Sequence, residues 1–168
     1  MKFQKRKLVN RPRRLRKTEI IRRLVRENHL NIDDLIMPVF VTSGVGIKQE
    51  IPSMPNIFKW SIDLLEEEIL RILDSGVNNI ILFGIPEKKD EVGSDAISDN
   101  GIIQQAIRYI KTSYPKVFII SDVCICEYTN HGHCGIIRNK IVDNDATLEY
   151  LSKQAVSHAK AGVDMVAP

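Results

Sequence analysis

Short apolar runs alternate with amphipathic stretches along most of the chain. Residues 35–41 (LIMPVFV), 79–84 (NIILFG), 117–123 (VFIISDV) and 163–167 (VDMVA) are brief, apolar and rich in β-branched side chains. That pattern predicts buried strands. Pro38 is awkward in the first and predicts an edge, a bulge or a local irregularity. Between the strands, helical spacing recurs. Ile20, Ile21, Leu24 and Val25 predict a short helix over 19–26, with Thr18 as its cap. Asp63 and Glu66 have capping-box spacing at the start of a helix over 63–74, which Gly76 ends. Ile102, Ile103, Ala106, Ile107 and Ile110 predict a helix over 100–112. Asn144 or Asp145 opens a long helix to Ala161, and Gly162 stops it. The stretches 42–60, 85–99 and 124–143 read as loops. Residues 1–17 contain Pro12 and little periodicity, which predicts an extended arm before a body of 18–168.

Strand, loop, helix, strand at this spacing means parallel βαβ units. Two architectures fit, an open doubly wound sheet and a (β/α)8 barrel. A doubly wound sheet often carries a Gly-rich first turn for phosphate, G-x-G-x-x-G, which is absent here. Long segments after each strand favour the barrel, whose sites are built from such loops. A barrel needs about 250 residues, and this chain has 168. The expectation is an α/β fold forming the N-terminal half of a TIM barrel in a longer protein. Its first and fourth strands would each be unpaired on one side, so the isolated chain would self-associate or stay partly molten.

Composition changes the picture in two places. Hydrophobic residues make up 43% and charged residues 27%, ordinary values for a globular chain. No apolar run approaches the roughly 18–20 residues that span a bilayer, and the N-terminus lacks an apolar signal core. A cytoplasmic protein without membrane association is expected. The net charge of +3 is unevenly spread: residues 1–26 hold twelve Lys/Arg against Glu19, and the rest of the chain is acidic. Such an arm could hold nucleic acid or dock on an acidic surface of its own body or a neighbouring subunit. The opposite charge of the body favours docking, and only Phe3 offers a base a stacking partner. The rival reading is a non-catalytic zinc module with a nucleic-acid-binding arm.

The second place is the cysteines. All three fall in residues 122–135 (DVCICEYTNHGHCG), which is no disulfide framework. Cys124 and Cys126 are two apart just past the third strand, so in extended chain both thiols face one side. Gly132 gives Cys134 the freedom to fold back to them. Three thiolates suit zinc and leave a fourth position for water or substrate, the mark of a catalytic site. Their sulfurs should then lie within about 4 Å of one another, given Zn–S bonds near 2.3 Å. A structural site with His131 or His133 as fourth ligand competes, as do incidental cysteines. His133, beside Cys134, fits a supporting or proton-transfer role better. Asp122 is a strand-end acid hydrogen-bonded to the loop, or a group that orients a cationic substrate.

The run DVCICEYTNHGHCG resembles the zinc-binding loop of the porphobilinogen synthase family, also called 5-aminolevulinate dehydratases. RPRRLRK at 11–17, LIMPVFV at 35–41, IPSMP at 51–55, LFGIPEKKDEVGSDA at 82–96 and AGVDMVAP at 161–168 resemble that family in its order. The resemblance implies a (β/α)8 barrel whose N-terminal arm embraces a neighbour in a homo-octamer. It implies a cytoplasmic lyase of heme and tetrapyrrole biosynthesis, condensing two 5-aminolevulinate molecules to porphobilinogen with loss of two waters. The family's catalytic zinc ligands match Cys124, Cys126 and Cys134, as in its zinc-dependent branch, and its active-site aspartate matches Asp122. The family also forms Schiff bases with two lysines on later strands, and its Lys-Pro signature has no counterpart in this sequence. The chain alone is therefore expected to be inactive, with these residues holding the metal half of a site.

Overall fold

The structure is a computed structural model that describes residues 12–168. Of the arm expected over 1–17, residues 1–11 lie outside the described residues. The chain divides into two compact units, Met1–Asn31 and Ile32–Pro168. In the first, a 3-10 turn at Arg14–Arg16 precedes helix α1 (Glu19–Leu24), whose cap is Thr18: its Oγ1 accepts from the Ile21 amide at 3.2 Å. Glu19 pairs with Arg22 and Arg23, while Leu15, Ile20 and Leu24 are exposed.

The second unit is a six-stranded sheet with helices. Its strands are β1 (Met37–Thr42), β2 (Lys48–Glu50), β3 (Phe58–Trp60), β4 (Asn79–Ile85), β5 (Phe118–Asp122) and, nearest the C-terminus, β8 (Met165–Ala167). Two further short strands, β6 (Ile136–Arg138) and β7 (Ile141–Asp143), form a separate hairpin. The main order is β2-β3-β1-β4-β5-β8. The four apolar runs of the sequence are its parallel core, β1-β4-β5-β8.

Pro38 sits inside the unbroken β1–β4 ladder, opposite Ile81. A proline is tolerated there because alternate residues of a strand bond to opposite neighbours, and its missing N–H faces the other edge. That outer edge is not bare as the half-barrel expectation held. Strand β3 pairs with β1 in parallel, Phe40 with Lys59 and Val41 with Trp60, and β2 folds back antiparallel on β3. Trp60 is 2% exposed, with the Lys48 ammonium 4.6 Å from its ring centre.

Helices α2 (Leu65–Asp74), α3 (Ile102–Ser113) and α4 (Asn144–Ala161) supply the rest of the core. Val39, Val41, Ile80, Leu82 and Ile119 share one face of the sheet by register, and all are buried with Leu65, Ile69, Ile103 and Ile107 of the helices. Phe40, Ile81 and Phe83 lie on the other face and are only half-buried, the two phenyl rings stacking 5.2 Å apart. Asp122 has the parity of that second face. The apolar runs thus predict strands covered on both faces, and the described residues cover one fully and the other only in part, at Thr42 and Ile120.

Two caps differ from expectation. Asp63 does not close a box with Glu66: a 3-10 turn at Ile62–Leu64 intervenes, and Asp63 instead accepts from the Gly46 amide at 2.9 Å. Helix α4 is capped by Asp143, one residue early, which accepts from the Ala146 amide at 3.0 Å.

Candidate metal centre

The loop after β5 is built on alternation. Val123 and Ile125 are 3% and 0% exposed, so Cys124 and Cys126 are left half-buried on the opposite side. The backbone there is pinned from three directions. The Val123 amide donates to Ala167 O of β8 at 3.0 Å. Gln154 of α4 donates from Nε2 to Cys124 O at 3.1 Å. The amides of Tyr128 and Thr129 both donate to Ile125 O at 3.0 Å. The Cys124 and Cys126 sulfurs are 3.4 Å apart. The chain then turns through Gly132, at φ 70°, where side chains other than glycine's are strained, and returns Cys134 at the surface.

All three sulfurs lie within 4.8 Å of one another. Sulfurs on a tetrahedral ion with 2.3 Å bonds sit about 3.8 Å apart, so a closing movement of about 1 Å would seat one. Burial pushes the Cys124 thiol up and the Cys126 thiol up to about 12, because a desolvated thiolate with thiol neighbours lacks a counter-charge. A divalent cation supplies that counter-charge and favours the thiolate instead. The donor set therefore fits a soft or borderline metal ion. His131 and His133 stand 5.6 Å apart by ring centres and are not in the sulfur cluster.

Asp122 ends β5, and burial raises its carboxyl above the usual range. The sequence reading passed over Glu127. Burial, then the nearby Asp122 charge, raise its carboxyl to about 7, opposed by Lys89, and its buried Oε2 has no hydrogen-bond partner. Its only sequence signal is an acid directly after Cys126. Also unforeseen is how closely the loop after β4 embraces the cysteine loop. The Asn130 amide donates to Asp90 O at 2.9 Å and the Asp90 amide to Tyr128 O at 3.3 Å, while Tyr150 of α4 donates from Oη to Gly93 O at 3.0 Å behind them. The Tyr128 hydroxyl rests over Gly84 of β4, where a methyl would collide with it.

Comparison with known proteins bears on this geometry. The family model for Delta-aminolevulinic acid dehydratase matches residues 9–168. The chain is 52% identical over 158 residues to the Delta-aminolevulinic acid dehydratase of Halalkalibacterium halodurans, covering 94% of this chain and 48% of that one. It is 51% identical over 158 residues to that of Methanothermus sociabilis, covering 94% and 49%. A crystal structure of the Toxoplasma gondii enzyme in complex with its reaction product porphobilinogen superposes with a TM-score of 0.88. It is 32% identical, over 95% of this chain and 46% of that chain. The chain spans about half the length of these relatives.

Proposed function

The chain belongs to the delta-aminolevulinic acid dehydratase family, and from that premise we propose that it is the metal-holding portion of a zinc-dependent porphobilinogen synthase. The whole protein would be a cytoplasmic lyase that condenses two 5-aminolevulinate molecules, releasing two waters, in heme and tetrapyrrole biosynthesis. The observation that carries this reading is the convergence of Cys124, Cys126 and Cys134 at the carboxyl end of a parallel strand, with sulfurs within 4.8 Å. In a closed (β/α)8 barrel the half-buried face of Phe40, Ile81 and Phe83 would look inward, and Asp122 with it.

Zinc on the three sulfurs would act as a Lewis acid towards a substrate oxygen or amine. The chain's own groups do the rest. Asp122, half-buried beside the cluster, would hold a substrate ammonium and fix its orientation. Val123 and Ile125 anchor the ligand loop in the core, so the sulfurs are presented at a fixed place. Schiff-base formation needs an amine at the reacting carbonyl. The two lysines that the family uses would come from outside this chain, as would the other surface of a homo-octamer joined through the arm.

The test is turnover by the intact gene product. Porphobilinogen should form from 5-aminolevulinate, cease on chelation, and return with zinc. The variant Cys124→Ala should lose zinc and turnover together. Full turnover by that variant, or by the wild type in excess chelator, would sink the zinc reading. Turnover by the 168-residue chain alone would sink the expectation that its lysines are insufficient.

A further inference from the structure

Cys134 is the exposed member of the trio, separated from the other two by a stretch of the loop that leaves the core. Something must return it, and the geometry points to the ring of His131. Its Nδ1 accepts from the His133 amide at 3.1 Å, and its Nε2 lies 3.1 Å from Glu91 O in the loop after β4. The first bond fixes the tautomer: a ring nitrogen that accepts carries no proton, so Nε2–H donates to the carbonyl. One imidazole thereby closes the turn 131–133 from inside and ties it to the neighbouring loop from outside. The Nδ1 contact is the geometry of an Asx turn, in which a side chain two residues earlier captures a backbone N–H. Thr129 Oγ1, donating to His133 O at 3.3 Å, braces the same turn on its other side. The outer anchor is itself stiff, since Asp90 next to Glu91 takes the amides of Val92 and Ser94, both at 3.0 Å.

We infer that His131 is a positioning residue for the metal: its ring, strung between the His133 amide and Glu91 O, sets where Cys134 Sγ meets the other two sulfurs, without binding the ion. The inference rests on the metal reading above and adds a division of labour within the trio. Cys124 and Cys126 are placed by the core, and Cys134 by an imidazole borrowed from its own turn. Groups that orient metal ligands from behind typically matter by 10–100-fold in affinity.

The experiment uses the intact gene product, stripped of metal and titrated with cobalt(II) alone. Thiolate-to-cobalt charge-transfer absorption counts the sulfurs, and competition with a chelator gives the affinity. His131→Ala should weaken cobalt binding by about 10–100-fold and lose one thiolate's share of the absorption. Cys134→Ala added to it should remove nothing more. His131→Asn keeps the Asx-type acceptor and His131→Gln keeps a donor at the reach of Nε2, so each should recover part of the affinity. If His131→Ala proves unfolded, the Asn and Gln variants decide, and failure of both to differ from wild type overturns the inference. An alanine variant with wild-type absorption and affinity overturns it too, as does equal loss at all three sulfurs. A wild-type protein without a three-thiolate band overturns the metal reading, and this inference with it.

Discussion

In the loop after β4, the Asp90 carboxylate accepts from the amides of Val92 and Ser94 and from the Ser94 hydroxyl. Asp95, further along, accepts from the Ile102 amide at the start of α3 at 3.1 Å. The loop after β5 leaves the neighbouring strand at the same end of the sheet; there Thr129 and His131 brace the turn 131–133, but the sulfurs and the acid are not treated so. Its cysteines find only one another, and Glu127 keeps a buried oxygen unpartnered. Its backbone bonds outward to Gln154, Ala167 and Asp90 as well as to its own Ile125 O, and the His131 ring reaches Glu91 O. One loop satisfies its acids with its own amides, while the other leaves its cysteines and Glu127 to be completed, on our reading, by an ion. The difference teaches where to look for a ligand: in the segment that the fold pins carefully but leaves chemically unfinished.

Metal removal should break the comparison open most widely. In the stripped protein, amides of 126–134 should exchange on the order of 100-fold faster or more, while those of Val92 and Ser94 change little. Hydrogen exchange read by mass spectrometry checks this. Equal acceleration in both loops would mean that they fold as one unit and that the contrast is false.

Acid offers the next largest effect. His158 of α4 is fully buried against Ser121 of β5, its Nδ1 2.9 Å from the hydroxyl, and burial lowers its pKa to about 4. Above pH 6.5 neither folded nor unfolded chain is protonated there, and the group is silent. As pH falls from 6.5 towards 4, the unfolded chain gains a proton that the folded one refuses. His158 should therefore contribute a loss of about 3 kcal/mol over that window, against which Glu127, raised to about 7, gains stability as it protonates in the folded state first. Urea midpoints of the metal-free wild type and of His158→Gln from pH 7 to 4 isolate the His158 share as their difference, and the variant should gain stability towards acid relative to the wild type. Asp90, held below the usual carboxylate range by its bond from Ser94, keeps its charge through this window, so its turn should not contribute. A variant slope equal to the wild type's would assign the acid sensitivity elsewhere.

Gly84→Ala is the smallest and sharpest probe. The new methyl would strike the Tyr128 hydroxyl and come within 2.8 Å of Ile103 Cγ1. Overpacking of this kind costs about 1–2 kcal/mol when a ring can shift. Because the ring belongs to the cysteine loop, metal affinity should fall with stability, and the Asp90 turn should stay protected. Unchanged metal affinity in a destabilised variant would uncouple Tyr128 from the ligands.

The sheet was legible because each core strand is a compact apolar run, and the long helices because their apolar residues repeat at helical spacing. The two hairpins inside the expected loops were not. Strands β2, β3, β6 and β7 are three residues each, too short for alternation to register. The β6–β7 turn uses Asn139 and Lys140, both at positive φ, where the usual signal would be a glycine. The misplaced caps have separate causes: the Gly46 amide takes Asp63 away from α2, whereas at α4 three polar residues stand in a row, Asp143 to Asp145, and the first of them caps locally. In the site, the cysteines announced themselves by residue type and spacing. The part played by His131 could not be read, because its partner Glu91 is distant in sequence and contributes only a backbone oxygen.

Trp60 gives the molecule a blind spot. It is the chain's single indole, and it reports from β3, on the far side of β1 and β4 from the cysteine loop. Intrinsic emission will follow water reaching that flank and stay silent while the metal loop opens. A fluorescence melt that agrees with release of an added metal ion would therefore say something specific: that a disturbance at β5 crosses two intervening strands before either end gives way. A melt that lags behind release would date the loop's opening as a separate, earlier event.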